Sequence, residues 1–214
     1  MRLAIMQPYF FPYIGYFRLL KEADVFLLFD NVQFPRRGWV HRNRGLINGD
    51  WVWVTLPLQK AAQSTEIREL RFREAGLPEW IDSQKRRLEH AWNGTGEPIE
   101  SLPWPETSEL PVDYLERSIR WMSAGLGLTC DIVRSSSVLP SLGEGAGEDK
   151  ILKLAGEMGA SEYLNLPGGV GLYHEERFSE AGLRLRFLDE PVDSYESTLF
   201  RSVRSGFGML ANSL

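Results

Sequence analysis

Apolar residues in this chain fall into short blocks separated by polar, Gly- and Pro-rich breaks, and the spacing within the blocks alternates between strand-like and helix-like. Leu3-Ala4-Ile5-Met6 is a continuous apolar run closed by Gln7-Pro8, as expected of a strand covered on both faces. Over residues 15–23, Phe17 and Leu20, with Ile14 just before, fall on one side of a helix. Val25-Phe26-Leu27-Leu28-Phe29 is a second apolar run, closed by Asp30-Asn31. Strand, helix and strand at this spacing predict a tight βαβ unit with parallel strands. Ligands of open parallel sheets bind beyond the carboxyl ends of the strands, here residues 7–12 and 30–33.

Residues 34–44 are polar, basic and aromatic. Residues 51–56 alternate as a strand, with Val52 and Val54 set against Trp51, Trp53 and Thr55, and residues 66–72 predict another. Pro78 suits the first turn of a helix running to Trp92, whose Lys85-Arg86-Arg87 cluster reads as a solvated face. Residues 93–111 predict a loop. Tyr114, Leu115, Ile119, Met122 and Leu126 fit an amphipathic helix, residues 129–133 a strand and residues 135–147 a loop. Ile151, Leu154, Ala155 and Met158 form the cleanest helical stripe, with Glu148 and Asp149 suiting its N-terminal dipole. Residues 162–164 and 183–188 predict short strands. The order of elements is α/β. Residues 1–214 read as a single α/β domain with an inserted subregion around 57–128.

Composition narrows the function. The 214 residues carry 24 Lys plus Arg against 29 Asp plus Glu, a net charge of −5, so nucleic acid is not an expected partner. The single cysteine, Cys130, excludes an internal disulfide and reads as a small buried hydrophobe. No apolar run approaches the length of a membrane span, and the early Gln7-Pro8 leaves no room for a signal-peptide core. A cytoplasmic protein is expected, and a homo-oligomer is compatible with the sequence. His41, His90 and His174 are far apart, so no metal site is assigned. Gly143, Gly145 and Gly147 meet neither phosphate-loop spacing and read as a flexible loop. Ser135-Ser136-Ser137 reads either as a hydroxyl and N–H donor set for an anion or as a capped turn.

Two segments carry candidate chemistry. Gln7-Pro8-Tyr9-Phe10-Phe11-Pro12-Tyr13 concentrates aromatic rings and hydroxyls in a turn stiffened by two prolines. Gly15 permits close backbone approach at a helix start, where unpaired N–H groups favour an anion. At the adjacent strand end stand Asp30, Asn31 and Gln33, followed by Trp39, His41, Arg42, Asn43 and Arg44. Indole stacks on a sugar or base, and guanidinium forks onto phosphate.

These residues carry a resemblance. Residues 5–17, residues 30–34 and 38–44, and Tyr163-Leu164-Asn165 with Gly168-Gly169 and Leu172-Tyr173 resemble three blocks of the WbqC-like family. The resemblance runs from about Leu3 to about Leu188; the segment after His90 and the tail from Ser194 depart from the pattern. It implies a role in O-antigen and other surface-polysaccharide synthesis, with acylation or aminoacylation of an activated amino sugar. Tyr13-Ile14-Gly15-Tyr16 also stands where the HIGH motif of nucleotidyltransferases would, with tyrosines for its histidines. That second resemblance implies a Rossmann-like (HUP-like) parallel sheet flanked by helices.

The reading that follows is a transferase whose ligand is a nucleotide or nucleotide sugar. Gln7, Tyr9, Tyr13, Gly15 and Tyr16 shape the pocket with Asn31, Gln33, Trp39, Asn43, Ser136, Asn165 and Tyr173. Arg42 and Arg44 hold phosphate, and Asp30 or His41 is the base that deprotonates an attacking amine. The alternatives are a nucleotidyltransferase using a nucleoside triphosphate with Mg²⁺, and a nucleotide- or sugar-binding protein without catalysis.

Overall fold

A computed structural model describes residues 1–92, 94–189 and 194–214. In chain order the elements are β1 (Arg2–Met6), α1 (Ile14–Glu22), β2 (Val25–Leu28), β3 (Arg42–Ile47), β4 (Asp50–Thr55), α2 (Leu77–Glu89), α3 (Pro111–Gly125), β5 (Asp131–Arg134), α4 (Ser135–Val138), α5 (Gly147–Glu157), β6 (Glu162–Asn165), α6 (Glu175–Glu180), β7 (Arg184–Phe187) and α7 (Thr198–Ala211). Segments of 3₁₀ helix stand at Ile67–Glu69, Ile99–Ser101 and Pro167–Leu172.

Five strands form one sheet in the order β5-β2-β1-β6-β7. Every pairing is parallel, with Leu3 beside Val25 and Tyr163, and Leu28 beside Arg134. The chain builds outward from β1 on one side and then, from β6, on the other. The order therefore reverses between β1 and β6, as in a Rossmann-like sheet, and the crevice at such a reversal is the usual ligand site.

Alternation along the strands explains the two covered faces. Ala4, Phe26, Leu28 and Leu164 join Phe17 and Leu20 of α1 and Ile119 and Met122 of α3 in one core. Leu3, Ile5, Leu27 and Tyr163 join Ile151 and Leu154 of α5 and Phe178 of α6 in the other. Buried on both sides, the strands need uninterrupted apolar runs, and that is why β1 and β2 are readable in the sequence.

Several local expectations are corrected. Residues 66–72 form no strand but the 3₁₀ turn Ile67–Glu69, flanked by isolated bridges Gln33–Glu66 and Leu58–Phe72. Arg42–Ile47, expected within a polar segment, is a strand paired antiparallel to β4. Its reversal at Asn48-Gly49 has positive φ at both residues, 52° and 90°, the twist a two-residue hairpin requires. The segment after β5 is not loop from its start, because Ser135–Val138 is a helical turn. The helix begun at Pro78 ends at Glu89 rather than Trp92. The 93–111 loop contains the Ile99–Ser101 turn.

The divergent tail is ordered and closes the structure. Leu199, Phe200 and Val203 of α7 are buried. Gly45 of β3 lies so close beneath the Phe200 ring that a Cβ there would collide with it. The Glu196 carboxylate is held by both Arg204 guanidinium nitrogens at 2.6 Å and accepts from the Leu46 N–H at 2.6 Å. Thr198 N–H donates to the Pro12 carbonyl at 2.9 Å and Ser197 N–H to that of Arg44 at 3.0 Å, so the tail ties the N-terminal turn to the hairpin. Phe200→Ala is expected to cost about 3–5 kcal/mol in urea unfolding; a loss below about 1 kcal/mol would show that α7 is not part of the cooperative core.

Candidate functional site

A cavity of about 780 Å³ lies at the reversal between β1 and β6. Its floor is the carboxyl ends of these strands, Met6-Gln7 and Asn165-Leu166, with Phe29 from the end of β2. One wall is the N-terminal turn, through Tyr9 and Tyr13, with Trp39 and Asn43 behind it. The opposite wall is the first turns of α5, Gly147, Glu148 and Ile151, and the Pro167–Leu172 turn running into Tyr173 and His174. Tyr195, from the segment before α7, completes the lining, its ring 5.3 Å from that of Tyr13.

The N-terminal turn is held in an unfavourable backbone state. Phe11 has φ 44°, a left-handed conformation that costs a side-chain-bearing residue of order 1 kcal/mol. The Asn43 amide donates to the Phe11 carbonyl at 2.7 Å and the Phe10 carbonyl at 3.1 Å. Its oxygen accepts from the Arg44 N–H at 2.8 Å. Phe10 N–H donates to the Trp39 carbonyl at 2.9 Å. The rings of Phe10 and Phe11 pack inward against Tyr114, which leaves Tyr9 and Tyr13 to the cavity.

Seven of the expected residues line the cavity together: Gln7, Tyr9, Tyr13, Trp39, Asn43, Asn165 and Tyr173. Burial pushes the Tyr9 and Tyr173 hydroxyls above their ordinary pKa, so both remain hydrogen-bond donors at neutral pH. The Tyr173 hydroxyl meets that of Tyr163 at 3.2 Å, to which the Asn165 amide also donates.

The others are placed elsewhere. Gly15 and Tyr16 are buried in α1; Tyr16 is fully enclosed and its hydroxyl donates to the Gln7 carbonyl at 3.1 Å. Asp30 has no exposure. Its carboxylate accepts from Ser136 N–H at 2.9 Å, Ser136 Oγ at 2.6 Å and Ser135 Oγ at 3.0 Å. Asp30 and Ser136 thus clamp the α4 turn to the end of β2, the capped-turn alternative for the serine run. Asn31 and Gln33 line a separate, more open depression of about 700 Å³ with Glu66, Glu144 and Lys150.

His41 is half-buried beside the Phe34 ring, and its Nδ1 has no hydrogen-bond partner. Burial, and then the Arg42 charge, hold its imidazole below the ordinary pKa. Arg42 and Arg44 lie on the outer face of the hairpin, with Arg42 over Trp53 at 5.0 Å and Arg44 over Trp51 at 4.6 Å. Trp53 in turn stacks on Trp39 at 5.7 Å, so the guanidinium groups sit one ring away from the cavity wall. Cys130 is half-buried, its thiol pushed up to about 11 by burial.

Chain order hid the remaining lining residues. Glu148 and His174 are 26 residues apart and meet only through the packing of α5 and α6; Tyr195 lies in a tail with no periodic signal. The glycine pair Gly168-Gly169 marked the right turn, and Gly169 packs directly on the Asn165 amide. Among the described residues lining the cavity there is no Lys or Arg, and Glu148 is the one carboxylate. Among the described residues no cluster of three or more His, Cys, Asp or Glu is placed to hold a metal ion, and no helix is long and apolar enough to cross a membrane.

Comparison with known proteins agrees with these blocks. The model of the WbqC-like protein family matches residues 7–205. The chain belongs to the WbqC-like protein family. It is also 26% identical over 213 residues to an uncharacterized protein of Mycobacterium tuberculosis, Rv1507c, covering 96% of this chain and 88% of the relative. No solved structure matches the chain significantly. The matched span includes every cavity-lining residue except Ile5 and Met6, Tyr195 among them.

The environments of His41 and Asp30 have measurable consequences. Unfolded His41 takes up a proton near pH 6.5, and folded His41 only at lower pH. Its contribution to stability is therefore complete above pH 6.5 and lost as pH falls through the window just below. Urea unfolding at pH 7.5 and 5.5 is expected to show a drop that His41→Gln reduces; an unchanged drop would place the pH dependence elsewhere. Asp30→Asn is expected to lose about 1–3 kcal/mol of stability, read in the same assay; retained stability would mean that the Ser135–Ser136 clamp is dispensable.

Proposed function

We propose that this WbqC-like protein is a transferase of surface-polysaccharide (O-antigen type) synthesis that acylates or aminoacylates an amino sugar carried on a nucleotide. In this reading the sugar ring occupies the cavity at the β1–β6 reversal. The observation that carries it is the lining: the rings of Tyr9, Tyr13, Trp39, Tyr173 and Tyr195 interleave with the amides of Gln7, Asn43 and Asn165. Aromatic faces suit the apolar face of a pyranose, and amides and hydroxyls suit its hydroxyl groups. An ammonium over such rings gains about 0.5–2 kcal/mol, which favours an amino sugar. The polysaccharide context is what the resemblance to the WbqC-like family implies, and it is part of this proposal.

The nucleotide's phosphates go to the rim. Among the described residues the lining has no Lys or Arg and gives a diphosphate no counter-charge inside the cavity, whereas Arg42 and Arg44 stand on the hairpin face that Trp39 joins to the cavity. A triphosphate with Mg²⁺ fits the cavity poorly, since its described lining offers a single carboxylate and no cation. The burial of Tyr16, one of the two tyrosines standing for the HIGH histidines, points the same way. A sugar-binding protein without catalysis is the second reading, favoured by Asp30 and His41 lying away from the cavity.

Thermal-shift titration separates these readings. A dTDP- or UDP-linked amino sugar at about 100 times its Kd is expected to add about 2.7 kcal/mol of stability, and Trp39→Ala to weaken binding about tenfold. Stabilisation by ATP with Mg²⁺ but by neither nucleotide sugar would overturn the proposal in favour of nucleotidyl transfer.

A further inference from the structure

The cavity holds a pair of side chains that the expected base residues, Asp30 and His41, do not include. Glu148 stands in the first turn of α5 and His174 at the N-cap of α6, and both line the cavity. The Glu148 carboxylate is buried, its side chain 6% exposed. One oxygen accepts from the His174 backbone N–H at 2.6 Å; the other accepts from Arg177 Nη1 at 2.6 Å and lies 3.2 Å from His174 Nδ1. A buried carboxylate at that distance assigns the proton of the neutral ring to Nδ1. Nε2 is then the unprotonated nitrogen, and it has no hydrogen-bond partner among the described residues. The imidazole itself is 74% exposed.

We propose that His174 is the proton acceptor for a primary amine bound in this cavity, with Glu148 as the residue that positions it. The proposal deepens the transferase reading and rests on it for the identity of the amine. Glu148 is the one acidic group among the described residues of an otherwise uncharged aromatic lining, and with its oxygens taken by Arg177 and by the backbone N–H and Nδ1 of His174 it acts on a bound amine through the imidazole. His174 Nε2 removes a proton from the ammonium, and the freed lone pair attacks the carbonyl carbon of an acyl thioester. The C–N bond forms and the C–S bond breaks. The leaving thiolate takes up the proton held by His174, and the second nitrogen proton goes to solvent, so no oxidant or reductant is needed. A carboxylate behind an imidazole fixes its tautomer and stabilises its charged form, the arrangement by which a histidine base is ordinarily oriented.

The groups facing His174 are few. From α5 come Glu148 and Asp149, the latter paired with Arg177 Nη2 at 2.6 Å. From α6 come Arg177 and, in its first turn, Glu175 and Glu176. The neighbouring Tyr173 hydroxyl is engaged with Tyr163. Arg177 Nη1 shares the Glu148 oxygen that faces the ring, at 2.6 Å.

Diethyl pyrocarbonate labelling of the protein at pH 7, read by mass spectrometry of the His174 peptide, tests the pair without any substrate. Glu148→Gln replaces two acceptor oxygens by one, and it is expected to release the ring and lower the His174 labelling rate about threefold. A dTDP-linked amino sugar is expected to protect His174. An unchanged labelling rate in Glu148→Gln, or a bound amino sugar that leaves His174 fully reactive, overturns the proposal. If the amino sugar fails to bind wild type, the transferase reading fails, while the labelling rate still decides the pair. With a thioester donor that supports wild-type turnover, His174→Gln is expected to lower kcat 10²–10⁴-fold with KM within about threefold; an unchanged kcat overturns the role of His174.

Discussion

The amide of Asn43 is the joint on which the site depends. Both of its N–H bonds go to consecutive carbonyls of the N-terminal turn, Phe10 and Phe11, and its oxygen is taken by the next backbone N–H. With both N–H donors and the oxygen of a buried side chain engaged, the turn and the hairpin cannot move independently. The strained Phe11 backbone is affordable only because this amide and the inward packing of two phenylalanine rings over-determine it. Release it, and Phe10 and Phe11 lose their fixed inward direction, and with it Tyr9 and Tyr13 lose theirs into the cavity.

The hairpin that carries Asn43 is in turn set by the end of the chain. β3 and β4 belong to no larger sheet, and an isolated two-stranded hairpin is marginal in water. Here the backbone of Leu46 is gripped on both sides, its N–H by Glu196 and its carbonyl by Arg204, while Phe200 covers Gly45. The same tail reaches Pro12 and Tyr13 of the N-terminal turn and lays Tyr195 on the cavity. Closure of the site is thus a long-range event, made by residues at opposite ends of the sequence, and it accounts for an ordered tail where local pattern shows little periodicity.

What was legible in the sequence follows from the length scale of each interaction. β1, α1 and β2 are readable because burial on both faces of a parallel sheet demands continuous apolar runs, and Tyr9 and Tyr13 because aromatic residues crowd a proline-stiffened turn at a strand end. Residues 66–72 carry three apolar residues in seven, Ile67, Leu70 and Phe72, and bury them through a 3₁₀ turn, a difference from a strand that the tertiary bridges to Gln33 and Leu58 decide. β3 reads as a basic loop because its outward positions are arginines, whose charge is shielded by lying flat on Trp51 and Trp53; the Asn48-Gly49 reversal was its local signal. Asp30 sits where a base would, at a strand end, and the fold gives its carboxylate no exposure and three donors from Ser135 and Ser136, an environment that its position in the sequence does not display. Glu148 and His174 carry no sequence signal as a pair, because the contact is created by helix packing.

The division of charge around α5 follows from the same geometry. Its first two turns present Gly147, Glu148 and Ile151 to the aromatic cavity and Lys150 to the neighbouring depression with Gln33, Glu66 and Glu144. Helical spacing makes this unavoidable: Glu148 and Ile151, three apart, share a face, and Lys150, two residues from Glu148, must leave it. Among the described residues the cavity side is therefore left with one carboxylate, and that carboxylate is already spoken for by Arg177 and by the backbone N–H and Nδ1 of His174. A carboxylate so bound is held below its ordinary pKa, first by the His174 backbone N–H, and it stays ionised at any pH where an amine is chemically useful. Its remaining reach into the cavity is through the imidazole, which is why the chemistry of the site converges on His174 rather than on Glu148 itself.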